Sequence, residues 1–376
     1  MLLFVPFFST SAAQPPNALP PLAPPPTDYL AESLSPPLQP PSGQESPLSA
    51  AEAEAAAADA MSWCATHGLL VHAPMATGDD GSTANAAPRL IHAPFSLLPA
   101  TFPRAQLDLA SKELAPLFGS LVDRIGRDVP WLASTLRLTS ESDDFTRRLL
   151  QLCAAVHKEG ATQEARLAIL RSDYMLHEPE GAASGGGRLL QVELNTIASS
   201  FGALCSRVCA LHTRLAQRWP GVRHHVWSEA GQPKTLSLPT ALPRSPAIEE
   251  LAGALADAHA EYLSGRSSSG GTTSGRGGDG RDGEPAVLLV VQPGERNAID
   301  QQLLCEHLWD VHGVRVVRRT LAQLAHEAKL VGSERRLVLT STGTECSVAC
   351  ALRAPSRKKC TDRAPWPSPM AVYQPR

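Results

Sequence analysis

The sequence lacks the signatures of several common protein classes. Its eight cysteines contain no CxxC pair, so neither a zinc ribbon nor a dense disulfide scaffold is predicted, and a reducing compartment fits best. The apolar opening MLLFVPFF is far shorter than the roughly 20 residues that cross a bilayer. The formal net charge is only -3, so no basic field attracts nucleic acid. We therefore expect a protein that binds neither nucleic acid nor membrane.

Positive charge is absent from the beginning of the chain. No Lys or Arg precedes Arg89, so the basic region of a secretory signal and the arginines of an organelle transit peptide are both missing. This absence favours a cytoplasmic location, and organelle targeting stays open as an alternative.

The chain of 376 residues is long enough for two ordinary domains, and therefore for an enzyme with a sizeable core. Changes in composition divide it into five segments. They are a disordered Pro-rich segment, a helical and hairpin part, a Gly/Ser-rich linker, a βαβ unit and a divergent, disordered tail, over residues 1–48, 49–263, 264–284, 285–348 and 349–376 respectively.

Local signals predict several helices in the second segment. Ser49 is a candidate N-cap for the first helix, and Gly68 is a candidate stop. Apolar residues at helical spacing predict three more helices, over residues 104–118, 121–132 and 143–159.

The remaining pattern predicts a hairpin and a βαβ unit. LAILRSDYMLHEP and GRLLQVELNT flank a glycine-rich loop, as the two strands of a hairpin do. Further on, the continuous apolar run of PAVLLVV predicts a strand that is buried on both faces of a parallel sheet. The predicted fold class is therefore α/β. Ligands bind beyond the carboxyl ends of such strands, where Glu295, Arg296 and Asn297 follow.

A glycine motif offers a competing function. Gly275, Gly277 and Gly280 have the GxGxxG order of a nicotinamide-dependent oxidoreductase. A phosphate-binding loop of this type follows a strand and opens a helix. Because these glycines precede a strand, we interpret them as part of the linker.

The stretch QVELNT places polar residues at every second position. In a regular strand Gln191, Glu193 and Asn195 line one face, while Val192 and Leu194 pack into the core. A carboxylate and an amide oxygen on one face suit Mg²⁺. The alternative is an ordinary exposed strand face.

Small residues follow this strand. Ala198, Ser199, Ser200 and Gly202 occupy the predicted turn from strand to helix, where backbone N–H groups can approach a carboxylate or a phosphoryl oxygen. The alternative is a plain N-cap that uses one of the serines.

Two cysteines lie one helical turn apart in the helix that follows. For Cys205 and Cys209 the pattern favours small buried thiols over a pair of metal ligands.

Four segments, in this order, resemble the eukaryotic type of glutathione synthetase: RSDYML, QVELNTIASSFGALCSR, QPGERNAIDQQLL and VRVVRRT. The resemblance covers roughly residues 49–348 and is interrupted by the glycine-rich linker. It implies an α/β fold with an incomplete ATP-grasp architecture. It also implies an ATP-dependent ligase that joins γ-glutamylcysteine to glycine through an acyl phosphate, with Mg²⁺ as cofactor and a homodimer as its assembly.

The resemblance also implies roles for individual residues, none of them a catalytic nucleophile. Arg171 contacts a substrate carboxylate, which a planar guanidinium can grip with two hydrogen bonds. Glu193 lies beside the nucleotide phosphates. The magnesium ligands of this strand are Glu193 and Asn195. The turn that holds γ-glutamylcysteine is formed by Ile197, Ala198, Ser199 and Ser200. The contacts with its γ-glutamyl end come from Glu295, Arg296, Asn297 and Gln301.

The chain departs from the family pattern after RRLVLTSTGTECSVA. The continuation CALRAPSRKKCTDRAPWPSPMAVYQPR resembles neither the substrate segment nor the ATP-binding lysines, closing loop and last acidic ligand of the family. Two functions therefore stand side by side. One is a glutathione synthetase whose sequence is incomplete here, and the other is a catalytically inactive fragment that binds substrate.

Overall fold

The computed structural model describes most of the chain between residues 47 and 353. The described residues are 47–73, 89–100, 102–160, 166–177, 187–196, 199–229, 242–268, 285–332, 336–341 and 344–353. Within these ranges no helix is long and apolar enough to cross a membrane. Some predicted features fall outside them, namely Gly275, Gly277, Gly280, Ile197 and Ala198.

Helices dominate the first half of the described chain. Their bounds are Ala50–His67 (α1), Arg104–Asp108 (α2), Ala115–Arg127 (α3), Val129–Thr135 (α4), Arg137–Ser142 (α5), Asp144–Glu159 (α6), Gly202–Arg218 (α7) and Pro220–Glu229 (α8). The signals for α1 are confirmed, because the Ser49 hydroxyl accepts a hydrogen bond from the backbone N–H of Glu52 and Gly68 ends the helix with a φ of 73°.

The predicted helix break between residues 118 and 121 is wrong. The chain is helical from Arg104 to Arg127, and a π-helical segment, Leu109–Leu114, joins α2 to α3. The break lies instead at Asp128, whose carboxylate accepts a hydrogen bond from the backbone N–H of Trp131 at 3.0 Å. This N-cap, with a proline in the first turn of α4, determines where the new helix begins.

Two antiparallel hairpins accompany these helices. The first pairs β1 (Leu70–His72) with β2 (Leu90–His92). The second pairs β3 (Arg171–His177) with β4 (Arg188–Asn195), which confirms the two strands predicted around the glycine-rich loop.

The second half of the described chain forms a mixed five-stranded sheet in the order β6-β5-β9-β8-β7. The strands are Ala286–Val291 (β5), Val316–Thr320 (β6), Ala328–Val331 (β7), Arg336–Ser341 (β8) and Thr344–Arg353 (β9). The helices are Ala247–Ser268 (α9), Ala298–His312 (α10) and Leu321–Glu327 (α11). β5 runs parallel to both β6 and β9, so the predicted βαβ unit is present. β9 continues past residue 348, the expected end of this unit.

Helices cover both faces of β5. On one face Val287 packs with Leu255 of α9 and Leu308 of α10. On the other face Leu288 packs with Leu324 of α11. Burial on both faces explains the continuous apolar run of this strand and confirms the α/β class.

A separate core lies where α1, α7 and α8 meet. Leu211 and Leu215 of α7 and Val222 of α8 are fully buried there, together with Cys64 of α1. Each fully buried leucine contributes about 1.5–3 kcal/mol relative to an exposed one. Because of this core, α7 is held firmly, and the turn that precedes it is anchored at one end.

Candidate functional site

A β-bulge divides the polar face predicted for β4. Asp173 pairs with Glu193, but the next residue of β3, Tyr174, pairs with Gln191, so Val192 is the extra residue. Gln191 therefore faces the same side as Ser172, to whose hydroxyl its amide donates a hydrogen bond of 2.6 Å. The prediction that Gln191 shares a face with Glu193 and Asn195 is wrong, because a bulge breaks the two-residue alternation.

The buried position predicted for Val192 is also wrong. Its side chain is 59% exposed, whereas Leu194 is half-buried as expected for the inner side of the hairpin. The bulge accounts for the exposure of Val192, since it turns the unpaired residue away from the core, whereas Leu194 pairs regularly with Ser172.

Four side chains meet on the other face of the hairpin. Arg171 donates two hydrogen bonds to the carboxylate of Asp173, from Nε at 2.8 Å and from Nη2 at 2.9 Å. The amide of Asn195 donates to Glu193 Oε1 at 3.0 Å and to Asp173 Oδ2 at 3.2 Å. The structure thus brings together three of the predicted site residues around one residue that the sequence analysis missed, Asp173. Its position two residues after Arg171 in the same strand was the available signal.

The charges of this cluster stabilise one another. Hydrogen bonds with Asp173 raise the pKa of Arg171, against the opposing effect of burial. The Arg171 guanidinium in turn lowers the pKa of Asp173. The side chains of Arg171 and Glu193 are 30% and 58% exposed and their charged atoms lie 3.9 Å apart. Pairs this exposed contribute little to folding, so a ligand can rearrange them at low cost.

Glu193 and Asn195 fit only part of a magnesium site. Their oxygens are hard donors, and Mg²⁺ usually takes one or two carboxylates from protein and its other ligands from water and phosphate. Asp173 is less suited to this role because Arg171 occupies both of its oxygens. Among the described residues no group of three or more His, Cys, Asp or Glu side chains is arranged to hold a metal ion.

The turn before α7 is fastened to the hairpin and strained at its end. The Ser199 hydroxyl donates to the carbonyl of Asn195 at 3.2 Å, and Ser200 is half-buried. Phe201 has a φ of 72°, which is costly for a bulky residue. At Gly202, which begins the helix, an added Cβ would lie 2.6 Å from Leu251 Cδ1. A larger residue at this position would therefore have to displace the Leu251 side chain of α9.

A buried carboxylate holds this strained turn from across the fold. Asp300 of α10, only 8% exposed, accepts hydrogen bonds from the backbone N–H of Phe201 at 2.8 Å and of Leu204 at 2.9 Å. It also accepts one from the Asn297 amide at 3.1 Å. Asp300 thus caps α7 in place of a local serine, and the sequence analysis missed it because its partners are almost a hundred positions away.

The remaining predicted residues lie just beyond β5, as expected. Glu295 accepts a hydrogen bond from the backbone N–H of Asn297 at 2.8 Å. Arg296 is turned toward β1, where its Nε donates to the carbonyl of His72 at 3.3 Å. The side-chain amide oxygen of Gln301, Oε1, accepts a hydrogen bond from Arg318 Nη2. Asp300 therefore links Asn297 directly to the turn, whereas Arg296 ties this region to the first hairpin.

Comparisons with known proteins show which family the chain resembles. Residues 50–341 match the family model described as "Eukaryotic glutathione synthase, ATP binding domain". The chain is 35% identical to the chloroplastic glutathione synthetase of Solanum lycopersicum, over 71% of this chain and 41% of the relative. It is 33% identical to the glutathione synthetases of Dictyostelium discoideum, over 76% and 52% of the two chains, and of Homo sapiens, over 65% and 44%. The chain thus spans about half the length of these curated relatives.

A solved structure is similar in fold. It is a glutathione synthetase-like effector from Globodera pallida in its apo form, with a TM-score of 0.53 and 18% identity, over 81% of this chain and 57% of that chain. At this identity the likeness concerns the fold alone.

Proposed function

Because the chain belongs to the eukaryotic glutathione synthetase family, we propose that it binds γ-glutamylcysteine and takes part in the ATP-dependent ligation of this dipeptide to glycine. In this reaction the cysteinyl carboxylate takes the γ-phosphoryl group of ATP to form an acyl phosphate. The amine of glycine then attacks the acyl carbon, and phosphate leaves. Such chemistry depends on placing the reacting groups and on neutralising phosphate charge.

Two unsatisfied amide atoms carry the proposal. Asn297 uses its Nδ2 to bind Asp300, which leaves Oδ1 as an acceptor. Gln301 uses its Oε1 to accept from Arg318, which leaves Nε2 as a donor. Both of the remaining atoms are buried and have no hydrogen-bond partner.

A zwitterionic ligand end would satisfy both atoms. A buried polar atom without a partner costs about 1–3 kcal/mol, so a ligand that pairs with it gains affinity. An acceptor at the N-cap of α10 and a donor in its first turn suit an ammonium and a carboxylate. The γ-glutamyl end carries both on one carbon, because its peptide bond uses the side-chain carboxyl group. In an α-glutamyl peptide that α-carboxylate is consumed by the peptide bond.

Arg171 is proposed as the anchor for a second carboxylate. Asp173 occupies its Nε and Nη2, which orients the guanidinium and leaves Nη1 for the substrate. Arginine suits this task because its donors are planar and its charge is fixed. The turn formed by Ile197, Ala198, Ser199 and Ser200 would hold the dipeptide between the two anchors.

Glu193 and Asn195 are proposed as the ligands of Mg²⁺ on this hairpin. When bound there, the ion would neutralise phosphate charge during transfer. The position of Glu193 beside the nucleotide phosphates is part of the same proposal, and the description of the matched family model as an ATP-binding domain supports ATP as co-substrate.

The location and the assembly of the protein are further parts of the proposal. We propose a cytoplasmic protein that forms a homodimer, as implied by the family resemblance. The relatives from Solanum lycopersicum and Arabidopsis thaliana are named chloroplastic, so members of this family occupy more than one compartment.

Calorimetric titration of the full chain with γ-glutamylcysteine tests the binding site. We expect the wild type to prefer γ-glutamylcysteine to the matched ligand α-glutamylcysteine. Gln301→Leu should weaken γ-glutamylcysteine binding about tenfold or more, because a hydrogen bond to a charged group contributes about 1.5–3 kcal/mol. Asp310→Asn, at an exposed position farther along the same helix, should change the affinity less than about twofold.

The result that would overturn the site is an equal effect of the two substitutions. Failure of the wild type to bind either dipeptide would overturn the proposed function itself. Ligation is measured separately, as phosphate release that requires ATP, γ-glutamylcysteine and glycine together. Release that is independent of glycine would contradict the ligase assignment.

A further inference from the structure

Cys205 and Cys209 form a pair of thiols on one face of α7. The sequence predicts that both are small buried residues, but Cys205 is exposed and Cys209 is half-buried, and neither is in a disulfide. The prediction is wrong for Cys205 because its side chain lies on the exposed side of the first turn of α7, although its neighbours Gly202, Ala203 and Leu204 in the same turn are buried.

The surroundings of Cys205 favour its thiolate. A hydrogen bond with the Cys209 thiol lowers the pKa of Cys205 to about 6, against the opposing effects of partial desolvation of the sulfur atom in this otherwise exposed residue and of the charge on Asp300. The Ser245 side chain provides a further hydrogen bond. The hydrogen bond between the two thiols raises the pKa of Cys209, which therefore keeps its proton. Cys205 also lies in the first turn of α7, where the helix dipole favours a negative charge.

The other cysteines with a described pKa shift behave differently. Burial raises the pKa of each of these thiols, Cys64, Cys153, Cys305 and Cys346. Thiolates rather than thiols react with electrophiles and oxidants. Among the described cysteines, Cys205 is therefore the one that combines exposure, a lowered pKa and a second thiol within hydrogen-bonding reach.

We propose that Cys205 and Cys209 form a peroxide-reactive dithiol, in which Cys205 is the attacking residue and Cys209 the resolving one. The Cys205 thiolate attacks the O–O bond of a hydroperoxide and becomes a sulfenic acid, while the alkoxide or hydroxide that leaves takes up a proton. The Cys209 sulfur then loses its proton and attacks the Cys205 sulfur. The S–O bond breaks and water leaves. In total, two thiols and one hydroperoxide give one disulfide, one alcohol or water, and one water.

Helix geometry permits this bond but strains it. Residues four apart in a helix have Cα atoms about 6 Å apart, which lies within the range that a disulfide spans. Their Cβ atoms are about 5–6 Å apart, whereas a disulfide requires about 4 Å. The helical turn between Cys205 and Cys209 must tighten to form the bond, so the disulfide should be readily reduced.

Peptide mapping of the full chain tests the proposal. The reduced protein is treated with one equivalent of hydrogen peroxide, its remaining thiols are alkylated, and it is cut with trypsin. Trypsin cleaves after Arg207, between the two cysteines, so a disulfide keeps the peptides of residues 189–207 and 208–214 joined until reduction. We expect this linked pair as the main oxidised product, with the loss of two thiols per chain.

Three variants separate the two roles from general oxidation. In Cys209→Ser, Cys205 should accumulate as a sulfenic acid that dimedone traps. In Cys205→Ser, Cys209 should remain unmodified under the same treatment. Cys305→Ser, which removes a half-buried thiol of α10, should leave the linked pair unchanged.

Several results would overturn the proposal. They are a disulfide between other cysteines, a disulfide between two chains on a non-reducing gel, and equal dimedone labelling of Cys205 and Cys305. None of these results depends on dipeptide binding or on ligation, so the proposal fails or stands independently of the proposed function.

Discussion

At the residue scale, single polar side chains connect parts of the site that are distant in sequence. Asp300 binds the Phe201 and Leu204 N–H groups of one segment and Asn297 of another. Asp173 does the same within the hairpin by orienting Arg171 and Asn195. These two residues determine where the proposed substrate contacts lie.

Asp300→Asn tests the role of this buried carboxylate. Asparagine provides one acceptor oxygen where aspartate provides two, so one backbone N–H of the turn loses its partner. We expect the free energy of unfolding to fall by about 1–3 kcal/mol in urea denaturation and the affinity for γ-glutamylcysteine to fall as well. The control is Asp310→Asn, an exposed position in the same helix, for which the free energy should change by less than about 0.5 kcal/mol.

A separate effect on binding would identify Asp300 as a positioning residue. Its variant should bind γ-glutamylcysteine more weakly even at a temperature where the protein is fully folded. Unchanged affinity in the folded variant would show that Asp300 only stabilises the fold.

At the scale of elements, local capping predicts helices well, whereas contacts between elements do not appear in the sequence pattern. Ser49 and Gly68 bound α1 as their types suggest. The attachment of α1 to α7, by contrast, depends on Asp59. Its carboxylate binds Arg214 at 3.1 Å, Arg218 at 3.0 Å and the Trp219 indole N–H at 3.3 Å.

Asp59→Asn tests how the stabilising contact between α1 and α7 depends on pH. Burial raises the pKa of Asp59, but the hydrogen bonds from Arg214 and Trp219 and the nearby positive charges outweigh it, so the pKa lies below the ordinary 3.8. A carboxyl group with a lowered pKa stabilises the fold above its unfolded value and loses this effect as the pH falls through its folded value.

We therefore expect the wild type to exceed Asp59→Asn in stability by about 1–2 kcal/mol between about pH 5 and pH 7, with the difference shrinking below about pH 4. Urea denaturation at a series of pH values provides the measurement. Glu54→Gln, at an exposed position of α1, is the control. A difference that stays constant down to about pH 2 would show that charge on Asp59 is not its cause.

At the scale of the whole molecule, buried clusters on the two faces of β5 and between α1, α7 and α8 hold the described residues together, while several apolar side chains remain exposed. Met175 of β3 and Leu190 of β4 pair across the hairpin and are 65% and 43% exposed. Val192, beside them in β4, is exposed as well. Neighbouring exposed apolar residues mark surfaces that associate.

We expect the chain to self-associate through this hairpin face. In sedimentation velocity the wild type should show a sedimentation coefficient that rises over a tenfold increase in concentration. Met175→Thr combined with Leu190→Thr should reduce this rise, because threonine keeps strand propensity but removes apolar surface. Val311→Thr changes an exposed position on α10 and should not reduce it. A monodisperse wild-type monomer throughout would contradict the prediction.

The sequence by itself determined the features that depend on neighbouring residues. It predicted the caps of α1, the hairpin around the glycine-rich loop, the buried strand β5 and the βαβ unit, because capping and periodicity act over a few residues. The ordered motifs also indicated the family. The two-residue spacing of Glu193 and Asn195 placed both side chains on one face, where they are in contact.

Only the tertiary structure decided the features that depend on distant partners. The bulge at Val192 arises from how β3 and β4 pair, and it moved Gln191 to the other face. The cap of α7 comes from Asp300 of α10, and the unpaired atoms of Asn297 and Gln301 appear only once their partners are in place. A sequence pattern records which residue types alternate, but hydrogen bonds between segments are set by the register and packing of the folded chain.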